Sequence, residues 1–362
     1  MKSRIVIVLM FSIVGVLVLS RCNFRFSNST VSLNIDAEPF ENLADYHFFK
    51  DNTIDFIPNE RVIPYDLNSS LFSDYAEKLR FIYIPEGKKA LYNDTAVIDF
   101  PEGSCIIKTF YYPVDFRNKD LGRKVMETRL LVRRKSGWDA LPYIWNEEQT
   151  EATLEIAGGT RKVSWIDAAG QTVNLDYSIP NKNQCKNCHV AEGVFSPIGP
   201  KVRNLNKDFT YADTTENQLE HWAGLGIFGG LKCPILKPKN PVWNDPTTGS
   251  LQDRAKAYLD INCAHCHNPK GRGNTSGLDL RYENSNMSSL GVCKSPIAAG
   301  RGAGNMLYDV FPGKPEQSIS LYRMESTDPG ELMPELGRKL QHKEGVALIR
   351  EWIASLDAEM CK

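Results

Sequence analysis

Two pentapeptides constrain this chain more than anything else in it: Cys185-Lys186-Asn187-Cys188-His189 and Cys263-Ala264-His265-Cys266-His267. In each, two thiols three residues apart are followed at once by an imidazole. On one turn of helix, positions i, i+3 and i+4 share a face, so both thiols and the ring can be aimed at a single flat group. This is the attachment signature of c-type haem, in which the thiols bond the porphyrin vinyl groups and the histidine reaches the iron. The sequence therefore predicts two covalently bound haem c groups. Cys185, Cys188, Cys263 and Cys266 would tether them, and His189 and His267 would be the proximal iron ligands.

Two other chemistries use Cys-x-x-Cys pairs. Two pairs can form one tetrahedral zinc site of four thiolates, which would make the chain a zinc-stabilised binding module, and a single pair can be a redox dithiol. Neither needs the histidine. With six His in 362 residues, chance would place one after both pairs in about three sequences in ten thousand. Outside the motifs stand only His47, His221 and His342, too few for a copper centre.

The start of the chain agrees with a cofactor attached outside the cytoplasmic membrane of a bacterium. Met1-Lys2-Ser3-Arg4 is basic, and the apolar run over 5–20 is short for a bilayer span, so residues 1–22 read as a secretory signal. Leu19-Ser20-Arg21-Cys22 resembles a lipoprotein cleavage box, with Arg21 where a small residue is usual. Lipidation at Cys22, release as a soluble periplasmic protein and an uncleaved signal anchor are the three outcomes compatible with this start. Residues 23–40 follow as a polar tether. A net charge of −1 gives no reason to expect nucleic acid as a partner. Cys105, Cys233, Cys293 and Cys361 remain for up to two disulfides, with three possible pairings, or as buried free thiols.

The fold class expected is α+β and multidomain. Runs such as 81–84, 96–100, 106–112 and 130–133 are β-branched and aromatic between turn residues, so residues 41–180 read as a β-rich, sandwich-like module. Its aromatics, Trp138, Tyr143, Trp145 and Trp165 among them, read as core. Residues 181–240 would form a first haem-binding segment packed partly against that module, with a helix over 215–225. Residues 241–362 read as an all-α, class I-like cytochrome c domain. One helix over 251–261 would run into Cys263, and a C-terminal helix after Glu344 would carry Val346, Ile349, Ile353 and Leu356 on one face, with Tyr258 and Trp352 at their crossing.

Met333, followed by Pro334 shortly before the last helix, is the candidate sixth ligand of the second haem, with Met324 and Met306 as substitutes. The first haem has no such partner, since no Met occurs between His189 and Met287. Its sixth ligand would be His221 or Met126, or the iron would keep an open face able to bind peroxide or oxygen. Arg301, Arg323 and Arg338 are candidates for the haem propionates. The run 300–304 is Gly-rich but lacks the strand and the Lys-Ser/Thr of a phosphate loop, so it reads as a loop beside haem.

The chain resembles a family of diheme c-type cytochromes in which a β-rich N-terminal region precedes two haem motifs. The resemblance lies in Leu71-Phe72-Ser73-Asp74-Tyr75-Ala76, Glu127-Thr128-Arg129-Leu130-Leu131, Tyr143-Ile144-Trp145-Asn146, residues 199–206 and 262–267, and Met333-Pro334-Glu335-Leu336-Gly337. It implies a periplasmic or lipid-anchored electron-transfer protein, redox proteins as partners, and a parallel β-helix protein as a further partner. Electron transfer is the function expected from the two motifs. A diheme peroxidase or another haem-dependent oxidoreductase, with the first haem as an open catalytic site, is the alternative.

Overall fold

Val, Ile, Phe, Tyr and Leu at alternate positions build one antiparallel sheet from the first half of the chain. In the computed structural model, which describes residues 30–50, 53–191, 193–229, 238–297 and 299–362, its strands run β1 (Val62–Pro64), β2 (Glu77–Tyr83), β3 (Cys105–Pro113), β4 (Arg123–Arg134), β5 (Gly137–Trp145) and β6 (Ala152–Leu154). They lie side by side in chain order. A two-stranded hairpin, β7 (Gly159–Ile166) with β8 (Thr172–Ile179), forms a separate sheet. The expected strand at 96–100 makes only isolated bridges, from Asp99 to Leu91 and from Val97 to Lys201. The signal segment, Cys22 and Cys233 lie outside the described residues.

Register sorts the side chains onto two faces. Phe81, Ile107, Leu130 and Leu141 are cross-strand neighbours and pack with Leu43, Tyr46 and Phe48 of the N-terminal segment. One residue along, Ile82, Ile106, Leu131 and Ala140 form the first row of the opposite face. Tyr143, Trp145 and Trp165 are buried as their composition suggested, and Trp138 is partly so.

Among the described residues six helices follow: α1 (Lys182–His189), α2 (Val202–Leu205), α3 (Gln218–Gly224), α4 (Leu251–Asn262), α5 (Ile319–Glu325) and α6 (Lys343–Ser355). Asn181 starts α1 through a reciprocal capping pair with Gln184, and the Ser250 hydroxyl starts α4 by accepting from the Asp253 N–H. Residues 215–217, expected in a helix, are instead a short strand leading into α3. Helix α6 approaches α4 at Gly345, where a Cβ would overlap the Tyr258 ring.

The expected pairing of a sandwich with an all-α cytochrome c domain is corrected. The described chain is mainly β, built on the single six-stranded sheet, and no all-α cytochrome c domain stands at the C-terminus. Periodicity found α4 and α6, but the stretch between them is largely loop and 3-10 turn around the seven-residue α5. That segment is also stitched to the sheet region. The Phe72 N–H donates to Asn262 at 2.8 Å, the Lys339 and Leu340 N–H groups donate to Asp74 at 2.7 Å, and Lys201 pairs with buried Asp260 at 2.9 Å. Cys293 and Cys361 form a disulfide, while Cys105 is a buried free thiol. Among the described residues no helix is long and apolar enough to cross a membrane.

Candidate functional site

A cavity separates the second face of the sheet from α4 and α6. The first motif lines it through Cys185, Cys188 and His189 and the second through Cys263 and His265; Met333 lines it too, whereas Cys266 and His267 do not.

The first motif occupies α1. Its last residue, His189, is followed by a tight hairpin, Val190–Ala191 against Val194–Phe195, which brings the Ser196 carbonyl back to the ring. The His189 Nδ1–H donates to that carbonyl at 2.9 Å, and the ring stacks on Phe195. This fixes the tautomer and leaves Nε2 with its lone pair, the arrangement of an orienting partner behind a metal-binding imidazole. Burial lowers His189 to about 3, so the ring is neutral at pH 7.

The second motif begins where α4 ends. The Ser276 hydroxyl donates to the Gly273 carbonyl at 2.6 Å and so accepts from His267 Nδ1–H at 2.9 Å, which again leaves Nε2 free. Gly273 has no side chain to crowd the ring; a Cβ there would stand 3.0 Å from His267 Nδ1. Across the cavity the Met333 loop is pinned by Arg338. Its guanidinium donates to the carbonyls of Met333, Arg323, Ser326 and Leu340, between 2.9 and 3.2 Å. Arg338 lines the cavity, but its donors hold this loop. Met324 also lines the cavity, while Met306 lies outside it.

The sheet forms a cationic wall. Register places Arg80 opposite Lys108 and Lys108 opposite Arg129, three cations in one row across β2, β3 and β4, all lining the cavity. Like charges directly opposite one another destabilise a sheet. Arg80 has Asp66 at 2.8 Å, and Arg129 has a two-pronged pair with Glu127, which also accepts from Tyr177 at 2.7 Å. Among the described residues Lys108 has no ion pair or hydrogen bond, only the Phe110 ring face at 4.8 Å. Burial, reinforced by Arg80, Lys78 and Arg129, holds its ammonium well below the usual lysine range. Burial lowers neighbouring Lys78 to about 7.

Several expected residues lie elsewhere. His221 stacks on Tyr211 and bonds Glu216 at 2.7 Å. Met126 is 2 % exposed, packed among Phe110, Tyr112 and Tyr177. Neither lines the cavity. Arg301 pairs with Asp328, and Arg323 donates to the Glu331 carbonyl at 2.8 Å. The Gly-rich run forms a 3-10 turn that does not line the cavity either. His265 and the cationic row were not anticipated. The first stands between the two thiols of its motif, where no spacing marks it.

A four-thiolate zinc site is not assembled: among the described residues no three His, Cys, Asp or Glu side chains cluster closely enough for a metal ion. Burial pushes Cys263 up to about 12 and Cys266 to about 11, and raises Cys185 and Cys188 as well, the reverse of an activated redox dithiol. No known family, curated protein or solved structure matches the chain.

Proposed function

We propose that the chain is an exported diheme c-type cytochrome that passes electrons between redox partners on the periplasmic side of a bacterial membrane. The observation that supports this reading is a cavity shared by residues of both motifs, Cys185, Cys188 and His189 of the first and Cys263 and His265 of the second. Cys185 and Cys188 would hold one haem and Cys263 and Cys266 the other, with His189 and His267 presenting Nε2 to the irons. Haem iron, once bound, supplies one-electron transfer by cycling between ferric and ferrous states.

The protein's part is positional and electrostatic. Ser196 and Ser276 fix the two imidazole tautomers. Met333, held by Arg338, would supply a thioether to the second haem, and a thioether raises the potential relative to a second imidazole. In the Arg80, Lys108 and Arg129 row the two arginines are paired with Asp66 and Glu127, and Lys108 is left to meet a carboxylate of a bound haem. Export is supported by the basic-then-apolar start and by the Cys293–Cys361 disulfide, a bond that persists in oxidising compartments.

A pyridine haemochrome assay on the purified protein is expected to report two covalent haems per chain; none would reject the reading. In a potentiometric titration Met333→Ala should lower one of two midpoint potentials, on the order of 0.1 V within the roughly 0.8 V range that axial ligands span. Two unchanged potentials would remove Met333 from the ligand set.

A further inference from the structure

We propose that His265, inside the second motif, is the sixth ligand of the first haem, the one tethered through Cys185 and Cys188. The inference rests on the diheme reading and adds to it a ligand that neither the motif nor the family resemblance supplies.

The histidines sort by what their ring nitrogens do. His189 is committed to Ser196, His267 to Ser276, His221 to Glu216 and His47 to Ser32. His342 lies 3.0 Å from the Tyr258 hydroxyl and stacks on Phe72 at 4.1 Å. His265 alone is uncommitted: its Nδ1 is buried with no hydrogen-bond partner, and no described residue bonds its Nε2. A buried ring nitrogen with nothing to bond is a cost that native structures rarely leave in place. Coordination of a metal through Nδ1 would remove that cost.

Its placement suits the first haem rather than its own. His265 lines the same cavity as Cys185, Cys188 and His189, whereas Cys266 and His267 of its own motif do not. The second motif would then serve both haems, its own through His267 and its neighbour through His265. With bis-histidine ligands for the first and histidine–methionine for the second, the pair would have unequal potentials. Lys108 is the rival ligand, a cavity-lining amine without a hydrogen bond or ion pair among the described residues.

The test is the spin state of the iron in the full-length holoprotein, read by electron paramagnetic resonance and resonance Raman, with covalent haem counted separately. Wild type should hold two low-spin haems. In His265→Ala the count should stay at two while half the iron becomes high-spin and, when reduced, binds carbon monoxide. His265→Met should restore a fully low-spin spectrum with the lower of the two potentials raised. His342→Ala and Lys108→Leu should leave both haems low-spin. The proposal is overturned if His265→Ala keeps both haems low-spin, if Lys108→Leu is the variant that produces high-spin iron, or if wild type already holds one high-spin haem. A wild-type haem count of zero would instead defeat the diheme reading itself.

Discussion

Lys108→Met should change stability with opposite sign in the haem-free and haem-loaded protein. Without haem, Lys108 faces Arg80 on one strand and Arg129 on the other with no carboxylate of its own. Each directly opposed like-charge pair costs up to about 1 kcal/mol while the ammonium keeps its proton, and where burial strips that proton the cost becomes that of a buried amine without a hydrogen bond, about 1–3 kcal/mol. The Phe110 ring face at 4.8 Å returns about 0.5–1 kcal/mol, which the variant forfeits. The net effect is a haem-free protein stabilised by about 1 kcal/mol. At a urea m-value of about 3 kcal/mol per M, that raises the unfolding midpoint by about 0.3 M. In the loaded protein a charge-assisted hydrogen bond to a haem carboxylate, worth about 1.5–3 kcal/mol, is lost instead, so the midpoint should fall. Urea unfolding followed by far-ultraviolet circular dichroism, with haem-free protein made by expression without haem attachment, measures both. A loss of stability in the haem-free form, or shifts of the same sign in both forms, would refute the cationic row as a site for carboxylates.

Three further outcomes are expected. Cys293→Ser opens a loop of 68 residues and should cost about 4 kcal/mol, seen as a lower urea midpoint that added reductant does not lower further. Gly345→Ala places a Cβ against the Tyr258 ring and should cost about 1–3 kcal/mol by overpacking, which thermal unfolding would detect; an unchanged melting temperature would mean that α4 and α6 separate freely. Lys78 sits at about 7 in the folded state because of burial, against about 10.4 when unfolded. The unfolded chain therefore binds more protons between those values, so haem-free protein should gain stability as pH rises from about 7 to about 10 and hold steady below. Lys78→Met should flatten that slope in urea titrations across the range.

What the sequence disclosed followed from how local each signal is. The motif residues declare themselves because one helical turn sets their spacing, and α4 and α6 because an apolar face repeats every three to four residues. The strand content was legible from Ile106 to Tyr112 and from Leu130 to Val132, where branched and aromatic residues concentrate. Their assembly was not. Whether Lys108 meets Arg80 and Arg129 depends on register, which no single strand encodes. The all-α domain was inferred from two true helices, but the loops between them carry no periodicity and are tied to Asp74 and Phe72, more than a hundred residues away in sequence. His221 stands nearest to the first motif in sequence and Met126 on the β module, but the fold uses Met126 as core and pairs His221 with Glu216. His265, between the two thiols of the motif, carries no spacing signal of its own.

The cavity is closed by contacts between residues very far apart in the chain: 190 positions separate Phe72 from Asn262, and 266 separate Asp74 from Leu340. Contacts of that range are slow to form, because the entropy of closing a long loop must be met before they stabilise anything. The sheet, whose strands pair in chain order, can be in place well before its far wall arrives. During that interval the row on β2, β3 and β4 is open to solvent, and whatever is tethered to Cys185 and Cys188 meets half a cavity. The rate at which residues 333–342 dock on the loop carrying Asp74 should then set when the compartment becomes dry, a kinetic step separable from the folding of the sheet.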